Sequence, residues 1–138
     1  MQVKVWGTRG STPVCNNKIT KTGGNTTCVE VFSNCIPEGT AYIIDAGSGY
    51  FPASMDVFFK RKLRKIILGL THVHHDHLLG LTSSRLSYID GCMTTIYGPY
   101  DNKVGPKETL ENLFKRPYYP VDSNLVKHRF NTIPLDHI

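Results

Sequence analysis

The chain has 138 residues, 40% of them apolar, with 16 Lys and Arg against 11 Asp and Glu for a formal charge of +5. That size suits one globular domain with a modest core. The absence of a long apolar run or of a basic start leading into one excludes a membrane-spanning chain, so a cytoplasmic protein with no membrane partner is expected. The positive excess suits a phosphate-bearing or polyanionic ligand but is too common to name one, and the four cysteines (Cys15, Cys28, Cys35, Cys92) form no C-x-x-C pair and read as reduced thiols.

In chain order, Val3 and Val5 open a short strand that stops at Gly7. A loop rich in turn formers follows, Gly7-Thr8-Arg9-Gly10-Ser11-Thr12-Pro13, and runs on through Asn16-Asn17 to Gly23-Gly24-Asn25. Cys28-Val29-Glu30-Val31-Phe32 alternates as a strand, and Ala41-Tyr42-Ile43-Ile44 reads as a buried strand ending at Asp45-Ala46-Gly47-Ser48-Gly49. Phe51, Met55, Phe58, Phe59 and Leu63 recur at helical spacing and predict one apolar face, with Pro52 in the first turn. The basic residues Lys60 to Lys65 then fall at the helix C-terminus, where the dipole favours them, which explains the run without an anion site.

Ile66 to Leu70 predicts a central strand, and a helix is expected from Leu78 onward. Strands are expected again at Thr94–Tyr97 and Phe130–Leu135, a short helix at Leu110–Phe114 behind Pro106, and an extended segment at Tyr118–Val121. Strands alternating with helices predict an α/β domain, a mixed sheet packed against helices.

The central strand runs into His72-Val73-His74-His75-Asp76-His77. Four imidazoles and a carboxylate beyond a buried strand are hard to explain by packing. They are the donor set of zinc and related divalent ions, and open α/β sheets place sites at the carboxyl ends of strands. Side chains repeat every two residues in extended backbone, so His72 and His74 project together and could share one ion, while Asp76 and His77 could reach a second. His75 points elsewhere in this scheme. His128 and His137 are isolated and read as ordinary histidines.

The string Thr71-His72-Val73-His74-His75-Asp76-His77-Leu78-Leu79-Gly80 resembles the T-H-x-H-x-D-H-x-x-G signature of metallo-β-lactamase-fold hydrolases. Trp6-Gly7-Thr8-Arg9-Gly10-Ser11-Thr12-Pro13 and Gly23-Gly24-Asn25-Thr26-Thr27-Cys28 resemble the opening of its ribonuclease Z and phosphodiesterase-like branch, and Ile44–Gly49 and Ile96-Tyr97-Gly98-Pro99 also have counterparts there. The resemblance implies a two-metal site with zinc, or manganese or iron, in place of it. His72 and His74 would hold the first ion, Asp76 and His77 the second. Asp76 and His77 would also serve the reaction, and Asp45 would orient the ligand loop through hydrogen bonds. Gly7, Gly10, Gly24 and Asn25 would shape loops near the site. The implied reaction is attack of a metal-bound hydroxide on a phosphodiester, with RNA and cyclic nucleotides among the candidate substrates.

The family has further ligands later in the chain, and no residue here matches them. Asp90, Asp101, Glu108, Glu111, Asp122 and Asp136 stand in no ligand motif. The family fold is an αββα sandwich of two similar halves, and residues 1–138 correspond to one domain containing its N-terminal half. The expectation is therefore an incomplete domain that leaves one sheet face uncovered and needs self-association or a missing C-terminal half. The alternative readings are a non-catalytic metal-binding module, one half of a complemented enzyme, and a nucleic-acid-binding domain using Lys60 to Lys65.

Overall fold

A computed structural model describes residues 1–16, 21–100 and 102–135; Asn17, Asp101, Asp136 and His137 lie outside the described residues. Six strands form one sheet in sequential order: β1 (Gln2–Gly7), β2 (Cys28–Phe32), β3 (Thr40–Ile44), β4 (Lys65–Gly69), β5 (Met93–Pro99) and β6 (Phe130–Leu135). The first three are an antiparallel meander, and β3 through β6 are parallel. The crossovers carry α1 (Tyr50–Met55, continued by a π-type turn over Asp56–Lys60), α2 (Leu79–Ser83), α3 (Pro106–Leu113) and α4 (Ser123–Val126). Right-handed crossovers that always step the same way across a sheet lay their helices on one face.

That face holds the core. Ala41, Ile43, Ile66, Leu68 and Ile96 from the strands meet Ala53, Val57, Leu81, Leu110, Phe114 and Val126 from the connections. Leu68 is fully buried in β4, the strand that leads into the histidine cluster. Leu68→Ala is expected to cost about 2–5 kcal/mol, read by urea unfolding, because the surrounding strands cannot collapse into the space left behind. An unchanged midpoint would mean that this face is not the core.

The other face is apolar and uncovered. Register aligns Val5, Val29, Ile44, Gly69, Tyr97 and Ile133 in one row, and Val3, Val31, Tyr42, Ile67, Thr95 and Asn131 in the next. None of these residues is buried, and Val3 and Val5 are more than half exposed. One sheet with helices on a single face is the arrangement expected of half a sandwich.

Two expectations are corrected. The helix after β3 does not bury Phe51, Met55, Phe58 and Phe59 as its face. Tyr50, Ala53, Ser54 and Val57 are buried instead, and Phe51 and Phe59 stand 43% and 40% exposed. The buried stripe lies one residue back, because Ala53 and Ser54 are small and let the helix approach the sheet closely. Tyr118–Val121 is not extended: it forms turns and bends, closed by Tyr119 N–H donating to Lys115 O at 3.0 Å. In β2 the residue facing the helices is charged. Glu30, 1% exposed, accepts from Trp6 Nε1 at 3.1 Å and pairs with Arg61, whose Nε lies 3.1 Å from Asp56 Oδ2. A charge buried this deeply is tolerable only with such partners.

Candidate metal centre

The site begins with a register. Parallel pairing sets Ile44 beside Gly69, so β3 and β4 end together, and Asp45 N–H donates to Gly69 O at 2.8 Å. Asp45 takes the left-handed conformation, with φ of 58°, which Asp tolerates better than most residues. Its carboxylate, 2% exposed, accepts from the Thr71 N–H at 2.8 Å and from Thr71 Oγ1 at 2.9 and 3.0 Å. The chain then turns through the 3₁₀ segment His75–His77, and the two loops are laced together. Ala46 N–H donates to His77 O and Gly80 N–H to Ala46 O, each at 2.8 Å.

Within this frame His72, His74, Asp76 and His77 converge. The His72 ring centroid lies 4.5 Å from that of His74 and 4.0 Å from that of His77. His72 Nε2 faces His74 Nδ1 at 3.1 Å, and His77 Nε2 lies 3.5 Å from Asp76 Oδ2. The four therefore form one cluster, with His72 next to members of both expected pairs. On the far side of its ring, His77 Nδ1 sits 2.8 Å from Asp45 Oδ2. The two are in ion-pair contact, but the ring is not aligned for a hydrogen bond to Asp45; a carboxylate on this side of the ring favours a proton on Nδ1 and an Nε2 free to bind a metal.

Asp76 is held from two sides by segments far away in sequence. The Ser11 N–H donates to Asp76 Oδ2 at 2.8 Å, and Thr26 Oγ1 donates to Asp76 O at 2.7 Å. The Ser11 N–H is the main reason that the Asp76 carboxyl stays below its usual range, helped by the nearby His77 and His74. Nothing in the sequence marks Ser11 for this role, because its contact runs through the backbone and has no side-chain signature. Among the glycines expected to shape this region, Gly7 and Gly24 meet backbone too closely for any side chain, at Thr26 and Val14 respectively. Gly10 has open space about it. Asn25 accepts from Thr8 N–H at 3.1 Å and Arg9 N–H at 3.0 Å, which ties the opening loop down.

The donor chemistry fits a divalent ion. Two nitrogens bound tetrahedrally at about 2.05 Å are separated by roughly 3.3 Å, close to the 3.1 Å between His72 Nε2 and His74 Nδ1. The fit is not ready-made. Among the described residues no three His, Cys, Asp or Glu side chains already gather their donor atoms about one point.

Comparison with known proteins bears on the fold. The chain superposes on YhfI of Bacillus subtilis, a metallo-β-lactamase fold protein, with a TM-score of 0.55 at 20% identity, covering 96% of this chain and 44% of that one. A candidate metallo-β-lactamase from Thermotoga maritima aligns with a TM-score of 0.40 at 16% identity, over 98% of this chain and 58% of that one. No family model and no curated protein matches. The chain has a metallo-β-lactamase fold and spans less than half the length of YhfI.

Residues outside the cluster have structural work. Lys60 and Arg61 pair with Asp56, Arg61 also with Glu30, and the Arg64 guanidinium stacks 3.9 Å over Phe58. Three of the five basic residues of the run thus have partners within the fold, which weakens the nucleic-acid reading. Glu108 Oε2 accepts from Gly105 N–H at the start of α3, Asp122 Oδ1 from Asn124 N–H at the start of α4, and Asp90 pairs with Arg129. His128 is an exposed residue 3.9 Å from Asp90. All four cysteines are free, and among the described residues no helix is long and apolar enough to cross a membrane.

Proposed function

We propose that this chain carries part of the active site of a metal-dependent hydrolase, in which His72, His74, Asp76 and His77 hold divalent metal. The observation that carries the reading is the convergence of these four side chains where β3 and β4 end, with His77 backed by Asp45 at 2.8 Å. A carboxylate behind a histidine is the usual support of a metal-binding imidazole. A divalent ion held there supplies Lewis acidity and makes water acidic enough to act as a nucleophile near neutral pH. The chain's own part is positional. Asp45 and Thr71 set the loop, the Ser11 N–H positions the Asp76 carboxylate and further favours its charged form, and His77 presents Nε2 to the cluster. Asp76 and His77 are the residues nearest the chemistry in this reading.

The substrate class proposed is a phosphodiester, RNA or a cyclic nucleotide among them. Its support is the phosphodiesterase-like opening segment, which the Ser11 contact brings onto the cluster, together with the charge of +5. Three imidazoles and one carboxylate do not complete two metal shells. The remaining ligands are proposed to come from a second copy or from a C-terminal half that also covers the apolar sheet face.

The test is metal analysis together with hydrolysis of bis(p-nitrophenyl) phosphate after loading with zinc, manganese or iron. Bound metal is expected, and turnover where a second copy or a complementing half supplies the remaining ligands, with both lost in His74→Ala and Asp76→Ala while the far-ultraviolet circular dichroism is kept. Unchanged metal content in both variants would refute the assignment. A second reading, a metal-holding module without turnover, is favoured because among the described residues no three donor atoms are gathered about one point. Stoichiometric metal with no hydrolysis, even beside a complementing half, would establish it.

A further inference from the structure

The site as described leaves out His75, the one imidazole of the cluster with no assigned role. His75 and Val73 alternate with His72 and His74 along the loop, and both line a separate cavity of about 480 Å³. Leu78 and Leu113 form further parts of its wall, Leu78 being 3% exposed, and Asn112 on α3 adds an exposed amide. Tyr118 completes the lining, and its side chain makes almost no packing contact: the residue is 89% exposed. An aromatic residue this exposed gains nothing for the fold, since rings stabilise by burial. Its place beside a cavity gives it another use. The volume falls within the range of small-molecule sites, and the walls are mostly apolar with a few polar groups, as such sites are.

His75 lies between His74 and Asp76 in the chain, so one wall of this cavity and the cluster are carried by the same loop. We propose that the cavity is a subsite for the heteroaromatic base of a nucleotide, with Tyr118 as its stacking platform and His75 and Asn112 offering hydrogen bonds to the base edge. This rests on the phosphodiesterase reading above, which supplies the phosphate next to the base. A flat ring with polar edges matches the lining better than an acyl chain, because Tyr118 offers a π-face while His75 and Asn112 would be left facing hydrocarbon.

The test uses binding and not turnover. Adenosine 5′-monophosphate, ribose 5-phosphate and octyl phosphate are titrated calorimetrically into the metal-loaded chain and its Tyr118→Ala and Tyr118→Phe variants. Stacking on one aromatic residue corresponds to about 5–150-fold in affinity. Adenosine monophosphate should bind more tightly than ribose 5-phosphate by that factor. Tyr118→Ala should remove the advantage without changing ribose 5-phosphate, and Tyr118→Phe should retain it. Equal affinity for the two, an unaffected Tyr118→Ala, or preferential binding of octyl phosphate would overturn the proposal. Because Tyr118 is exposed, its loss does not threaten folding. Hydrolysis of bis(p-nitrophenyl) phosphate reports on the catalytic reading separately, so base discrimination without turnover would sink that reading alone.

Discussion

Asp45→Ala is expected to destabilise the chain by about 2.5–5 kcal/mol and to abolish metal binding. Two costs add. Alanine at a φ of 58° carries a left-handed penalty of about 1–2 kcal/mol. The Thr71 N–H and hydroxyl then lose the carboxylate to which they donate, and hydrogen bonds to a charged group contribute about 1.5–3 kcal/mol. Asp45→Asn separates the parts. It tolerates the backbone and keeps one oxygen for Thr71, but it weakens the support behind His77. Its stability should stay near wild type while metal affinity falls about 10–100-fold. Urea unfolding and zinc titration against a chromophoric chelator read the two effects. Wild-type affinity in Asp45→Asn would show that Asp45 serves only the fold.

Gly47→Ala is expected to cost about 3–5 kcal/mol, above most single substitutions, through overpacking. A Cβ on Gly47 would run into Asp76 O, and would lie 2.5 Å from Thr26 Oγ1 and 2.6 Å from Thr27 O. Two of these are backbone atoms of different segments, so no change of rotamer relieves the overlap. The third, Thr26 Oγ1, is the donor that holds Asp76 O at 2.7 Å. The loss should therefore appear both in the unfolding midpoint and as weaker metal binding, since relief requires moving the segment that carries Asp76 and His77. Gly10→Ala is the control. Nothing lies within 4 Å of its Cβ, and the effect should be within about 0.5 kcal/mol. Equal stability of the two variants would mean that the loops are not packed as described.

Both predictions concern the approach of the residues after β3 to the residues after β4, and sequence reading reached only part of it. The strands were legible because each is a short β-branched or alternating run: β2 is the expected Cys28–Phe32, β6 the expected Phe130–Leu135, and β3 and β4 begin within a residue of expectation. The helix face after β3 was not legible, because two stripes at helical spacing compete there. Hydrophobicity favours Phe51, Met55, Phe58 and Phe59, whereas close packing on a sheet favours Ala53, Ser54 and Val57. Glu30 was equally opaque, since its burial depends on Arg61, 31 positions away.

By itself the sequence determined the α/β alternation, the strand that leads to the cluster, and the types of donor placed there, because contiguous residues carry all three. Asp45 was reached only through the family resemblance of its segment. Tertiary structure decided the rest: that Asp45 backs His77 across two parallel strands, that the Ser11 N–H reaches Asp76 from 65 residues away, and that one face of the sheet is left apolar and open. The division has a physical cause. Strand periodicity and ligand chemistry are local properties of the chain, whereas register, close approach and burial exist only between segments that folding brings together.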